Sequence, residues 1–259
     1  MKRMFGAVAV AALFTAVPAI AAPVTINFGG DSSILGKDGN SRTYTDAAKS
    51  VSVRATGWSW DGSKVRDSFL GAYGSGLGVT SGDELGLLNT HVVDNQNRVD
   101  FILLQFDQTV SLTSAVFNTF KVGLSRVADS DATIAWGTLA GVWNQGLTFD
   151  NTDGKSLAKL FAGSADALGT SSSGSRALGL GSAAGNFWLI GANFNNADGK
   201  IDGFKLGGVT LKTVAPVPEP STWALMLAGF ALVGVAMRRA IRTSEQRFTD
   251  KVRRIATSG

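Results

Sequence analysis

Oxygen-bearing and aromatic side chains carry most of the chemistry open to this sequence, because the usual nucleophiles and soft ligands are scarce. The 259 residues contain no Cys and a single His. That excludes thiolate catalysis, a disulfide framework and Cys-ligated zinc, and one chain cannot build a His-rich metal site. A Ser–His–Asp triad would need His91 as its base. No Gly-x-Ser-x-Gly elbow supports one, since the glycine-rich stretch reads Gly74-Ser75-Gly76-Leu77-Gly78. His91 therefore reads as structural, no catalytic residue is assigned, and the chain is not expected to be an enzyme.

Acidic groups offer more. Asp94, Asn95 and Asp100 lie close to one strand start, and Asp129 and Asp131 form a second group. Residues two apart on a strand share a face. Hard oxygen donors of this kind suit Ca²⁺, the one cofactor they would take. The EF-hand pattern is absent, broken by Arg98 and by the missing loop glycine. The competing role, which the spacing favours, is turn formation with the carboxylates capping backbone N–H groups. Trp58 and Trp60 are also two apart and would share a strand face, where exposed rings could stack on a glycan. Core packing is the competing role for them.

The elements that must position these groups read as β-strands. Val24, Ile26 and Phe28 alternate with Thr25 and Asn27, and Val51, Val53 and Ala55 alternate with Ser52, Arg54 and Thr56. A period of two with one apolar face is a half-buried strand. The continuous runs Phe101–Leu104 and Phe187–Ile190 read as central strands. Across Gly207-Gly208 the apolar parity flips from Phe204 and Leu206 to Val209 and Leu211, as a β-bulge would cause. Asp38-Gly39, Asp61-Gly62, Asp153-Gly154 and Asp198-Gly199 read as turns. Ser156 to Ala167 is the one segment that reads as a helix, and 163–185 reads as a long surface loop. With 32 Gly among 259 residues, many short strands and Gly-rich turns predict an all-β fold: an antiparallel β-sandwich or jelly roll spanning residues 23–212.

The two ends differ from this body. Lys2 and Arg3 precede an apolar stretch from Phe5 to Val17 and the small residues Ala19, Ala21 and Ala22, which predicts a signal peptide over 1–22, cut by signal peptidase. At the other end, a linker over 213–220 carries Pro218-Glu219-Pro220. From Thr222 to Met237 no residue is charged, Trp223 is placed as an interfacial anchor, and Arg238-Arg239 follow. This predicts a transmembrane helix over 221–239, with the body outside and a basic tail, 240–259, in the cytoplasm.

The ordered triplet, apolar helix and Arg pair at about 216–239 resemble the PEP-CTERM domain of exported Gram-negative proteins. The resemblance implies an inner-membrane precursor recognised by exosortase and cleaved near Pro218-Glu219-Pro220. It also implies a final place at the cell surface or in the extracellular matrix, with a structural or interaction role linked to exopolysaccharide and biofilm. A carbohydrate- or calcium-binding surface module is the alternative, and a secreted hydrolase comes third. Members usually end soon after the Arg cluster, whereas this chain continues to residue 259.

A second resemblance covers about 24–212. Gly74 to Thr80, Asp83-Glu84, His91 to Asn95, Val99 to Asp107, Asp129 to Asp131 and Trp136-Gly137 follow the order seen in a subfamily of exosortase-dependent surface proteins. It implies a surface protein and supplies no catalytic residues.

Charge agrees with this division. The chain carries 24 Lys+Arg and 20 Asp+Glu, for a formal net charge of +4. Residues 23–215 hold fifteen of those bases and seventeen of the acids. The positive balance therefore resides in the two ends, and the body, with no basic stripe, is not expected to bind nucleic acid.

Overall fold

The computed structural model describes residues 22–33, 39–85, 87–169, 171–214 and 220–256, with the backbone alone for 220–224. Residues 1–21 of the expected signal peptide, Asp38 of the expected Asp38-Gly39 turn, and Pro218 and Glu219 lie outside the described residues.

In chain order the elements are β1 (Val24–Asn27), β2 (Ser41–Thr45), β3 (Ser52–Trp60), β4 (Val65–Asp67), β5 (Phe69–Tyr73), β6 (Gly76–Thr80), β7 (Val93–Asp94), β8 (Val99–Thr119) and β9 (Ala132–Gly137). A short helix α1 (Gly154–Ala158) precedes β10 (Phe161–Ala167), β11 (Gly174–Ala177), β12 (Gly185–Ala192) and β13 (Gly203–Thr213). Helix α2 (Pro220–Ala256) follows. Residues up to Val214 form one compact unit and those from Ala215 another.

All pairings between strands are antiparallel, and β8 organises them. Its 21 residues would reach roughly 70 Å if straight, at ~3.3 Å per residue. It serves two sets of partners instead. Residues 99–106 pair with β3, and 101–105 also pair with β12. Residues 110–119 pair with β13, and 114–117 also pair with β11. Strand β12 continues to β9 and β10, while β13 continues to β1, β6 and β7. The two halves of β8 thus serve largely different partners within one connected sheet. Ile102, Leu104 and Phe106 from one half join Leu112 and Phe117 from the other, with Phe204 and Leu206 of β13 and Leu77 of β6, in a single apolar core. The architecture is the antiparallel all-β one the alternation predicts.

The continuous apolar runs are explained by burial on two sides. Ile102, Leu104, Trp188 and Ile190 face the main core. Phe101, Leu103, Phe187 and Leu189 point the other way, into a second core closed by Leu157 of α1 with Phe149, Leu160 and Phe161. A strand covered on both faces has no polar side to display. The two runs are also direct neighbours, with Leu103 opposite Leu189. The register shift predicted at Gly207-Gly208 is present between Leu206 and Gly208.

Three local expectations are corrected. The helix read over Ser156–Ala167 is five residues of α1 capped by Asp153, followed by β10. Alternation wins there: Phe161, Gly163 and Ala165 face one side, and Gly163 sits under the Trp136 ring on the neighbouring strand. Asp153-Gly154 is accordingly a helix start. The segment 163–185 is not one long loop, because β11 pairs residues 174–177 with β8. Asp61-Gly62 does form the turn joining β3 to β4, with Gly62 at φ 92°.

Candidate metal centres, aromatic cleft and sorting segment

Two carboxylate clusters draw on the acids singled out from sequence, and their environments differ sharply. In the first, Glu84, Asp94 and Asp100 place ligand oxygens within 4.8 Å of one another. Strand β7 presents Asp94 by pairing it with Gly203 of β13, and β8 presents Asp100 opposite Ser59 of β3. Glu84 is held by a turn in which its N–H donates to the Ser81 carbonyl at 3.1 Å, while the Ser81 N–H donates to Glu84 Oε2 at 3.1 Å. Asp94 is 0 % exposed, Asp100 1 % and Glu84 8 %.

Asp94 Oδ1 accepts from the Gln96 N–H at 2.9 Å. Asp94 Oδ2 and both carboxylate oxygens of Asp100 are buried with no hydrogen-bond partner among the described residues. Burial, then the mutual repulsion of these carboxylates, pushes Asp94 and Asp100 well above the usual carboxylate range; burial also raises Glu84. Arg98 is the nearby cation, and its guanidinium is engaged by Asp83 in a paired contact (Nε to Oδ2, 2.8 Å). Among the described residues none of the three carboxylates has a salt bridge.

The second cluster joins Asp129 and Asp131, just before β9, to Asp202, just before β13. Here the protein supplies the partners. Asp202 Oδ2 accepts from Asn95 Nδ2 at 2.6 Å and from the Asn193 N–H at 3.2 Å, and its Oδ1 accepts from the Asp131 N–H at 3.1 Å. Asp129 pairs with Lys200 Nζ at 3.2 Å, and Asp131 accepts from the Gly169 N–H. Arg176 crosses the same region. It donates to the Ser130 and Ala167 carbonyls at 2.9 Å each and to Ser130 Oγ at 2.7 Å, with its guanidinium 4.3 Å over the Phe117 ring. Burial, then the Asp131 charge, pushes Asp202 up to about 7.

The sequence grouping is thus partly redistributed. Asp94 and Asp100 meet, as do Asp129 and Asp131. Asn95 belongs with the second group, where its side chain both donates to Asp202 and accepts the Asp202 N–H at 2.9 Å. Glu84 and Asp202 went unassigned. Asp202 lies 71 residues beyond Asp131, so only the fold brings them together. The adjacent Asp83-Glu84 pair offered a faint signal, because one of its carboxylates turns inward and the other outward.

The paired tryptophans do not form an open platform. Trp58 is 3 % exposed, its Nε1 donates to Thr56 Oγ1 at 2.8 Å, and its ring packs against Phe149. The second core claims it. Trp60 stacks on Phe194 and lines a cleft of about 630 Å³ with Phe101, Phe161, Leu189 and Thr133. Its Nε1 is buried without a partner. His91 is 6 % exposed, edge-on to the Tyr73 ring.

In the second unit, α2 runs without a break through Arg238, Arg239 and the basic tail to Ala256. Leu225, Phe230, Leu232, Phe248 and Ile255 are all exposed on it. Among the described residues, no helix is long and apolar enough to cross a membrane. The uncharged part described with side chains, Leu225 to Met237, spans roughly 20 Å at ~1.5 Å per residue, short of a bilayer core of ~30 Å.

Residues 216–240 match the PEP-CTERM protein-sorting motif. The match covers the sorting segment and does not extend over the β-domain. No curated protein and no solved structure matches the chain significantly.

Proposed function

We propose that this PEP-CTERM-bearing chain is an exported precursor whose β-domain works outside the cell as a structural or interaction module rather than as a catalyst. In this reading a signal peptide over 1–22 starts export across a Gram-negative inner membrane. The segment 221–239 then holds the precursor there, and exosortase releases the domain at the surface. The apolar stretch is short, but Trp223 at one end and snorkelling of Arg238 and Arg239 at the other would extend its reach. A role in exopolysaccharide or biofilm is the finer expectation.

The observation that carries the reading is the position of the motif. The last strand ends at Thr213 and the compact unit at Val214, while the motif begins at residue 216. Cleavage near Pro218-Glu219-Pro220 would therefore remove no strand. The test is replacement of Pro218, Glu219 and Pro220 by Ala in a host with exosortase. The expected result is an uncleaved, membrane-held precursor. Processing at the ordinary rate would overturn the assignment.

A second reading, a carbohydrate-binding module, draws on the cleft beside Trp60. An aromatic wall with one buried, unpartnered N–H donor suits a sugar face and one hydroxyl. Retardation of the full chain in polysaccharide-containing gels, lost in Trp60→Ala, would favour it. Equal mobility of the two proteins with and without polysaccharide would remove it.

A further inference from the structure

We propose that Glu84, Asp94 and Asp100 form a buried site for one Ca²⁺ ion that ties the β6–β7 loop to the starts of β7 and β8. The second acidic cluster is not part of this site.

Three observations lead there. First, three carboxylates converge in a place that excludes water, with ligand oxygens no more than 4.8 Å apart. Oxygens this close can reach one ion, and Ca²⁺ tolerates the irregular geometry of a carboxylate cluster, whereas Mg²⁺ demands a near-ideal octahedron and sheds its waters reluctantly. Second, the oxygens expected to ligate are the ones with nothing else to do. Asp100 is 1 % exposed and neither of its carboxylate oxygens has a partner among the described residues; Asp94 Oδ2 shares that condition. Buried polar atoms are rarely left so, and an ion is one of the few groups that would satisfy several at once. Third, no protein cation does the job. Arg98 is held by Asp83, and none of the three carboxylates has a salt bridge among the described residues.

The Asp129–Asp131–Asp202 cluster serves as an internal control. It has the same residue types and similar spacing, but Lys200 and Arg176 supply positive charge. Asn95 and backbone N–H groups fill its acceptors. What distinguishes the two clusters is whether the carboxylates already have partners, not how many there are.

The donor set also bounds the affinity. Oxygen sites in extracellular modules bind Ca²⁺ at about 0.1–1 mM. The site would be filled outside the cell and would rigidify the domain where it works.

The test uses the full chain in detergent, stripped with EGTA. Addition of 2 mM CaCl₂ should bind one ion per chain in equilibrium dialysis and raise Tm by about 3–6 °C. MgCl₂ at the same concentration should do clearly less. Asp100→Asn should lose both bound Ca²⁺ and the Tm response. Its Tm without metal should equal or exceed that of the wild type, because a repelling charge is gone, which separates ligation from misfolding. Asp131→Asn should keep the full response. The proposal is overturned if the wild type binds no Ca²⁺, if Mg²⁺ acts equally, if Asp100→Asn retains one ion per chain, or if Asp131→Asn abolishes binding.

Discussion

Arg176→Met is a sharp probe of how the β-domain holds the loops around its second acidic cluster together. The substitution keeps an apolar stem against Phe117 and removes the guanidinium. Three hydrogen bonds disappear: two to carbonyls at 2.9 Å, from Ser130 and Ala167, and one to Ser130 Oγ at 2.7 Å. Bonds to a charged donor are worth roughly 1.5–3 kcal/mol each. Arg176 is only half-buried, so solvent screening argues for the low end or below. Asp131, Asp129 and Asp202 also lose the nearby positive charge that offsets their burial. The cation–π contact adds about 0.5–1 kcal/mol. Taken together, the loss should be about 3–4 kcal/mol. Arg176→Lys keeps the charge but has one nitrogen where Arg176 uses two, Nη1 for both carbonyls and Nη2 for Ser130 Oγ, and should lose about half as much. The assay is urea unfolding of the full chain in EGTA, followed by near-UV circular dichroism, so that calcium cannot contribute. A Met variant within about 1 kcal/mol of wild type would refute the idea that Arg176 pins these loops. So would a Lys variant as damaged as the Met one.

Two further outcomes follow from particular contacts. A Cβ at Gly78 would sit 2.1 Å from the His91 carbonyl oxygen, and backbone cannot swing away as a side-chain tip can. Gly78→Ala should therefore cost about 3 kcal/mol, visible as a lower urea midpoint with an unchanged slope. Lys205 is 4 % exposed, its Nζ lies 3.8 Å over the Tyr73 ring, and burial pulls it down to about 8 from 10.5. Between those pH values the unfolded chain binds more protons than the folded one, so stability should rise with pH over about 8 to 10.5. Urea midpoints across that range should show the rise in the wild type, and Lys205→Met should lack it.

Much of the scaffold was legible because its signals are local. Alternation at Val24–Phe28 and Val51–Ala55 marked strands, and unbroken runs at 101–104 and 187–190 marked strands covered on both faces. The parity flip at Gly207-Gly208 marked a bulge. The misread stretch at Ser156–Ala167 has helix-forming composition, rich in Ala with Leu157 and Leu160. There the available strand edge on β9 and the shelter of Gly163 under Trp136 overrode propensity. The candidate metal centre was half legible. Asp94 and Asp100 stand close in sequence on either side of one short loop, but Glu84 arrives through a separate turn. The distinction between a satisfied and an unsatisfied acidic cluster depends on Lys200, Arg176 and Asn95, whose placement no spacing could give.

The last strand of the domain is also an interior one, and this sets an order of events for a chain that is delivered N-terminus first. Strand β13 pairs with β8 along most of its length and also receives β1, β6 and β7. Until residues 203–213 have emerged, the second half of β8 keeps an open edge and Phe117 lacks its edge-on partner Phe204. The domain cannot close early. Closure waits for a strand that ends at Thr213, just ahead of the motif that begins at residue 216. Completion of the fold is thereby placed by topology at the very end of the domain, immediately before the sorting motif.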